Sequence, residues 1–167
     1  MGDMTRRAVA FLIAIGVFAM DAWTKWLVET HLSIDDSRTV IPGFLNIVRS
    51  ANTGASFSFL ADAPAQWRVP LLIGLSIFAL ALLALMVSRV EKPDGPSSPG
   101  LALICGGAMG NLYDRVRVGS VTDFLDFFAG NHHWYTFNVA DASICTGAGL
   151  LILSMLKAQR NHEVRVH

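Results

Sequence analysis

The chain has 167 residues, which is enough for one domain of ordinary size and too few for two. Its residues are 53% hydrophobic and 16% charged, whereas soluble domains carry roughly a quarter charged residues. The formal net charge of zero argues against nucleic acid as a partner, because phosphate binding requires a surplus of lysine and arginine.

Four apolar stretches predict membrane-spanning helices, when each is compared with the roughly 20 residues that a helix needs to cross a bilayer. They cover about residues 8–28, 70–90, 99–114 and 137–156. An even number of crossings puts both termini on the same side of the membrane. We therefore expect one integral membrane domain over residues 1–167, an all-α bundle of four transmembrane helices.

The first stretch follows Arg6 and Arg7, and a basic start before an apolar run is also typical of a secretory signal peptide. We expect it to be retained, because three further apolar stretches follow and Asp21 and Lys25 replace the small residues of a cleavage site. Asp21 and Lys25 are four residues apart, so they share one helical face and can pair at membrane depth. A structural role for this pair is favoured.

Residues 29–68 form the first segment predicted outside the membrane. Within it, residues 39–49 combine β-branched and aromatic side chains with a Pro-Gly turn signal, which predicts short strands. Residues 56–59 alternate polar with aromatic side chains and are also typical of a strand. Residues 60–67 are compatible with a short interfacial helix anchored by Trp67. We expect a small extracytoplasmic β-sheet that rests with this helix on the membrane surface.

The second stretch is the clearest span, since it contains no charge before Arg89, and a turn-rich linker at 91–100 follows it. Lysines and arginines near the span ends predict orientation. Seven lie on the side of the termini and six on the other. The excess favours cytoplasmic termini if Lys25 and Arg115 are site residues instead of loop charges. The first group is Arg6, Arg7, Arg89, Lys92, Lys157, Arg160 and Arg165; the second is Lys25, Arg38, Arg49, Arg68, Arg115 and Arg117.

The third stretch is short and glycine-rich, and small residues allow close packing between helices in lipid. It ends in a polar cluster of Asn111, Asp114 and Arg115 at the outer boundary. A second predicted outer segment, about residues 115–136, leads to the fourth stretch, which begins with Asn138 and Asp141 at matching depth. Solvation of one helix end by headgroups does not explain two polar clusters at one depth.

Four aspartates at this boundary are candidates for a catalytic pair: Asp114, Asp123, Asp126 and Asp141. Two carboxylates held close together share a proton, because both cannot ionise cheaply. The ionised member can then take a proton from water while the protonated member polarises a carbonyl. Such a pair hydrolyses an amide without a metal or a covalent intermediate. The pattern alone does not choose among the four.

Other chemistries find little support in the sequence. Cys105 and Cys145 lie in apolar stretches without metal-ligand spacing, so we predict neither a disulfide nor a metal site. We also expect no cofactor. His132 and His133 are adjacent and therefore diverge on a strand or a helix, and no nucleophile elbow accompanies them. They are interpreted as interfacial residues.

Four blocks of the chain resemble, in order and spacing, the lipoprotein signal peptidases, also called type II signal peptidases. The blocks are DAWTK at 21–25, NTGASFS at 52–58, GGAMGNLYDR at 106–115 with GSVTDF at 119–124, and FNVAD at 137–141. Together they reach from the first span to the fourth. The last two blocks are the most specific part of the resemblance.

The resemblance implies that the catalytic pair consists of Asp123 and Asp141, with Asp123 just beyond the third span and Asp141 in the first turn of the fourth. It also implies two further sets of residues. The substrate-binding positions are Asn111, Arg115, Asn52, Gly54 and Asn138, and the supporting positions are Asp21, Lys25 and Asp114.

The activity that the resemblance implies is that of an aspartic endopeptidase. It would remove the signal peptide from diacylglyceryl-modified prolipoproteins by cleaving just before the lipid-modified cysteine, and globomycin would inhibit it. We expect a monomer surrounded by lipid in a bacterial cytoplasmic (inner) membrane, with its site near the outer face.

Two rival functions follow from the same polar residues. A small transporter or channel subunit could relay protons through membrane carboxylates, but such proteins often place the site at the midplane between repeats. In this chain the charged groups gather at one boundary and no repeat is visible. A scaffold without activity would leave the polar clusters unexplained.

Overall fold

The structure is a computed structural model that describes residues 3–54, 60, 63–89 and 97–166. Within these residues the chain forms four long helices and a four-stranded sheet of order β1-β2-β3-β4. The helices are α1 (Asp3–His31), α2 (Ala65–Arg89), α3 (Ser97–Val118) and α4 (Val139–Val166); the strands are β1 (Ser37–Ile41), β2 (Leu45–Asn52), β3 (Val121–Ala129) and β4 (His132–His133).

Three helices in the described part of the chain contain stretches long and apolar enough to cross a membrane. The stretches are Met4–His31 in α1, Ala65–Met86 in α2 and Val139–Lys157 in α4. Large apolar side chains such as Phe11 and Phe78 are more than half exposed on these helices, as expected of surfaces that face lipid. The more polar α3 contacts each of the other three helices, so its polar residues can be surrounded by protein.

Glycines bring α3 close to its neighbours. A Cβ atom on Gly106 would collide with the α1 backbone, and one on Gly107 would collide with the carbonyl of Ala140 on α4. A Cβ on Gly110 would occupy the place of the Asp21 carboxylate. The predicted packing role of these glycines is confirmed, and the glycine at 110 also makes room for a charged group.

The helices extend beyond the apolar stretches that predicted them. The 22-residue α3 begins at Ser97, inside the predicted linker, and continues to Val118. Arg115 therefore lies in the last turn of α3, so the segment predicted outside the membrane at 115–136 begins within this helix. Hydropathy could not reveal these helix ends, because the residues there are polar or small.

The short strands predicted within residues 39–49 are confirmed as β1 and β2, which pair as a hairpin through a turn in which Gly43 has a positive φ of 76°. Of the short helix predicted at 60–67, Ala65 to Trp67 form the first turn of α2, and residues 61 and 62 lie outside the described residues. The strand predicted at 56–59 also lies outside them.

The sequence did not predict β3, which pairs antiparallel with β2 and brings the sheet to the start of α4. Its register on β2 shifts between Ile47 and Ser50. At this irregularity the amides of Phe124 and Leu125 both donate to the carbonyl of Phe137, at 3.0 and 2.8 Å. Asp123 is thereby held one residue away from the segment that leads into α4.

The sheet is joined to the bundle at the end of α1. Val28 of α1 and Leu32, the residue that follows α1, form a buried apolar cluster with Phe124 of β3. Arg49 Nη1, from β2, donates to the carbonyls of Glu29 and Leu32 at 3.1 and 2.9 Å. These carbonyls belong to the end of α1, where a cation satisfies acceptors that have no partner within the helix.

Candidate active site

The four candidate aspartates lie in three different surroundings. Asp123 and Asp141 share one hydrogen-bond network that links β3 to α4. Asp114 pairs with the buried Lys25, and Asp126 contacts His133 in the sheet. The sequence pattern did not choose among these four aspartates. The contacts group Asp123 with Asp141 and separate both from Asp114 and Asp126.

The start of α4 orients the Asp141 carboxylate. Asn138 precedes the helix as its N-cap, and its Oδ1 accepts a hydrogen bond from the Asp141 amide at 3.0 Å. In return, Asp141 Oδ2 accepts from the Asn138 amide at 3.4 Å. This reciprocal capping box satisfies two amides of the first turn and holds the carboxylate beside Asn138.

Two asparagine amides connect the carboxylates. Asn138 Nδ2 donates to Asp123 Oδ1 at 2.7 Å, and Asn111 Nδ2 donates to Asp141 Oδ1 at 2.8 Å. The amides also contact each other, since Asn138 Nδ2 lies 3.3 Å from Asn111 Oδ1. Residues from α3, β3 and the start of α4 thus converge around one carboxylate pair.

Asp123 is almost completely buried, with 2% of its surface exposed. Its Oδ2 accepts a hydrogen bond from Asn52 Nδ2 at 2.9 Å. Burial raises its pKa most, hydrogen bonds from Asn52 and Asn138 lower it, and the nearby charge of Asp141 raises it, so that the pKa of Asp123 is about 7. A carboxyl group with this pKa can hold or release a proton near neutral pH.

Lys25 forms the centre of a buried charge cluster next to the pair of Asp123 and Asp141. Its Nζ lies 2.7 Å from Asp21 Oδ2, 3.0 Å from Asp114 Oδ2 and 3.0 Å from Asn111 Oδ1. An ammonium group only donates, so Lys25 holds the oxygen of the Asn111 amide and leaves its nitrogen directed to Asp141. The ion pair predicted for Asp21 and Lys25 is confirmed, and it extends to Asp114.

The two aspartates of this cluster also bind backbone amides. Asp21 Oδ1 accepts from the amide of Ala140, in the first turn of α4, at 2.9 Å. Asp114 Oδ2 lies 3.3 Å from the amide of Thr122, the residue before Asp123. The cluster therefore supports both elements that carry the carboxylate pair.

Arg115 connects the site to the segment that follows β2. Its Nη2 donates to the Gly54 carbonyl at 3.0 Å and its Nη1 to the Asn111 carbonyl at 3.2 Å. The Gly54 amide in turn donates to Asn52 Oδ1 at 3.0 Å, which directs the Asn52 nitrogen to Asp123. Arg115 Nε is buried and has no hydrogen-bond partner within the described residues.

Asp126 belongs to a polar ladder that crosses all four strands. Thr39 Oγ1 donates to Asn46 Oδ1 at 2.9 Å, and Asn46 Nδ2 donates to Asp126 Oδ2 at 2.9 Å. His133 Nδ1 lies 2.8 Å from Asp126 Oδ1. The Asp126 carboxylate thus links neighbouring strands of the sheet. Among the described residues, no three His, Cys, Asp or Glu side chains come together in a metal-binding arrangement.

All ten site residues named from the sequence lie in this region, although their roles remain predictions. The seven catalytic and substrate-binding residues are linked by hydrogen bonds, and Asp21, Lys25 and Asp114 lie against them. The sequence missed Asn46 as the partner of Asp126, and Glu29 with its own partner Arg117 as the support of Thr122. No local pattern identifies these contacts, because each joins residues distant in the chain.

Comparisons with known proteins agree on one family. The family model described as Signal peptidase (SPase) II matches residues 13–157. A protein named lipoprotein signal peptidase from Solibacter usitatus is 45% identical over 151 residues, which cover 90% of this chain and 92% of that protein. A protein of the same name from Maridesulfovibrio salexigens is 40% identical, over 92% of this chain and 99% of its own length.

The fold is also similar to a solved structure described as a bacterial membrane enzyme studied by the in meso method. The TM-score is 0.83 at 32% sequence identity, and the match covers 92% of this chain and 91% of the other. The arrangement of apolar helices and a small antiparallel sheet is thus similar to that of a solved membrane enzyme.

Proposed function

The chain belongs to the signal peptidase II family of aspartic peptidases, which cleave signal peptides from lipoproteins, and we propose that Asp123 and Asp141 are its catalytic pair. The substrate would be a prolipoprotein whose cysteine carries a diacylglyceryl group, cut at the peptide bond just before that cysteine. The observation that carries the proposal is the network in which Asn111 and Asn138 join the two carboxylates.

The proposed reaction uses one proton held by the pair. One carboxylate takes a proton from water as the water oxygen bonds to the scissile carbonyl carbon, and the other carboxyl group gives its proton to the carbonyl oxygen. The newly protonated carboxyl group then gives its proton to the leaving nitrogen, while the other carboxylate takes a proton back from a hydroxyl of the tetrahedral intermediate. The C–N bond breaks as the carbonyl re-forms, and the pair returns to its starting state. The pair titrates as a unit, so acid and base roles belong to Asp123 and Asp141 together.

Substrate positioning is assigned to the groups that surround the pair. The Nε donor of Arg115 would bind a peptide carbonyl. Gly54 has no side chain and would allow an extended backbone to approach closely. Asn52 and Asn138 already donate to Asp123 and would keep its carboxyl group oriented as the substrate binds. Asn111 would do the same for Asp141.

We infer that α3 is a fourth transmembrane helix, enclosed by the three apolar ones, and that the first turn of α2 with Trp67 lies at the interface. Both termini would be cytoplasmic, and the sheet and the carboxylate pair would lie near the outer face. A lipid-modified cysteine would hold its peptide bond at the level of the lipid headgroups, which is the depth at which the carboxylate pair would lie. The protein would act as a monomer surrounded by lipid, without a cofactor.

The proposed function is tested by incubating the purified protein with a synthetic diacylglyceryl prolipopeptide. We expect one cut before the modified cysteine, little or no cutting of the same peptide without its lipid, and inhibition by globomycin. A metal chelator is expected to leave the rate unchanged. Cleavage at another bond, or equal cleavage of the unlipidated peptide, would contradict the proposed substrate class.

The pH dependence should report the titration of the pair, in which Asp123 is the member with a raised pKa. Because its pKa is about 7, Asp123 is protonated below that pH and becomes charged above it. We expect kcat/KM to fall as the pH rises through about 7, since the pair then loses the proton that the carbonyl oxygen must receive. Initial rates at substrate concentrations below KM, from about pH 5 to about pH 9, measure this fall, which is the basic limb of the kcat/KM profile. A rate that stays constant over this whole range would contradict the assignment.

A further inference from the structure

Thr122, the residue before Asp123, is held by contacts with three helices. Its hydroxyl donates to Glu29 Oε1 of α1 at 2.7 Å, which is the shortest of these contacts. Its amide faces Asp114 Oδ2 of α3 at 3.3 Å, and its carbonyl faces Asn138 Nδ2, at the start of α4, at 3.4 Å. The residue is buried, so these bonds do not compete with bulk water.

Glu29 is itself fixed by an ion pair. Arg117 Nη2, from the last turn of α3, lies 2.7 Å from both carboxylate oxygens. The Glu29 side chain is 16% exposed and that of Arg117 is 39% exposed. The guanidinium group also lies over the Tyr113 ring, 5.9 Å from its centre. Glu29 is thus a charged acceptor in a fixed position, which makes its bond to the Thr122 hydroxyl stronger than one between neutral groups.

The contacts of the Asp123 side chain are of another kind. Both come from neutral amides, those of Asn52 and Asn138. The charged group Glu29 therefore holds β3 at Thr122, through the Thr122 hydroxyl, and not at Asp123 itself. A shift of the Thr122 backbone would move Asp123 directly, since the two residues share a peptide bond.

We propose that Glu29, held by Arg117, is a positioning residue that fixes Thr122 and thereby sets the position of Asp123 relative to Asp141. The inference rests on the proposed function, because it concerns the placement of one member of the catalytic pair. The charge of Glu29 is balanced by Arg117, so the effect on Asp123 is one of position. Reactions of this kind are sensitive to position, and a misplacement of about 1 Å can cost about 100-fold in rate.

Thr122→Val tests the inference, because it removes the hydroxyl while keeping the shape of the side chain. We expect kcat to fall about tenfold with KM within about twofold of the wild-type value. Thr122→Ser restores the hydroxyl and should return kcat to within about threefold of wild type. The matched control is Thr30→Val, since the Thr30 hydroxyl bonds to its own helix at Trp26 and is exposed; its kinetics should be unchanged.

The pH profile separates positioning from a loss of folded protein. The charged groups near Asp123 are Asp141, Lys25 and Arg115, and none of them changes in Thr122→Val. A strand released from Glu29 leaves Asp123 less buried, so the basic limb of kcat/KM should move to lower pH. A smaller folded fraction would lower the rate at every pH without moving this limb.

A double-mutant cycle with Glu29→Gln provides the second test and remains informative if Thr122→Val folds poorly. Glu29→Gln alone should lower kcat by several-fold, and adding Thr122→Val should cost less than it does in the wild type. The inference is overturned if Thr122→Val and Glu29→Gln both keep wild-type kcat and pH profile, if their effects multiply, or if Thr122→Ser is as impaired as Thr122→Val. Full activity of Asp123→Asn, by contrast, would overturn the proposed function itself.

Discussion

Asp141→Asn is expected to lower kcat for the lipidated precursor by about 10⁴-fold, and Asp123→Asn is expected to do the same. Each change keeps the size of the side chain and removes its ability to exchange a proton. In Asp141→Asn the new side-chain amide retains an oxygen that can accept from the Asn138 amide, so the start of α4 should remain intact. Single-turnover cleavage by purified, folded variants measures the loss.

Asp126→Asn is the matched control for both variants. Asp126 is a buried aspartate on the same strand as Asp123, but its carboxylate contacts Asn46 and His133 in the sheet. We expect this variant to keep kcat within about threefold of wild type, even if its thermal stability falls. Loss of cleavage in Asp126→Asn, with activity retained in Asp123→Asn, would assign the catalytic role to Asp126 and contradict the proposed pair.

Lys25→Met is expected to have the largest effect on stability. The ammonium group contacts two buried carboxylates, and its removal leaves Asp21 and Asp114 without a counter-charge in surroundings that exclude water. Breaking a buried ion pair by removing one partner costs about 3–5 kcal/mol. Thermal unfolding in detergent should therefore show a clear decrease in Tm.

Cleavage by the folded fraction of Lys25→Met should also decrease, by at least about tenfold. Without the Nζ donor, the Asn111 amide can turn and lose its bond to Asp141. Lys157→Met is the control, because Lys157 is an exposed lysine on α4. Equal Tm and equal rates for the two variants would mean that the buried cluster supports neither the fold nor the pair.

The helices could be predicted because a span must be predominantly apolar, and α2 contains no charged residue from Val69 up to Arg89. The hairpin of β1 and β2 has a local Pro-Gly turn signal. In contrast, β3 contains Asp123 and Asp126 and is a strand because it pairs with β2 and with the carbonyl of Phe137. Such long-range pairing has no local signature, and neither do the polar ends of α3.

The candidate site residues were predicted through family resemblance, whereas the pattern alone left four aspartates open. What distinguishes them is the set of partners, and these are distant in sequence: Lys25 reaches Asp114 and Asn111 from another helix. The contact between Glu29 and Thr122 spans 93 residues and follows no motif. Sequence spacing predicts pairs on one helical face, such as Asp21 and Lys25, but it cannot predict contacts between elements.

The most direct test of a shared catalytic pair is the single-turnover rate of the double variant Asp123→Asn/Asp141→Asn, measured beside both single variants. Residues that act as one unit are not additive, so the double variant should cleave the lipidated precursor about as slowly as the slower single variant. A double variant whose loss equals the product of two independent losses, or either single variant at the wild-type rate, would contradict the pair.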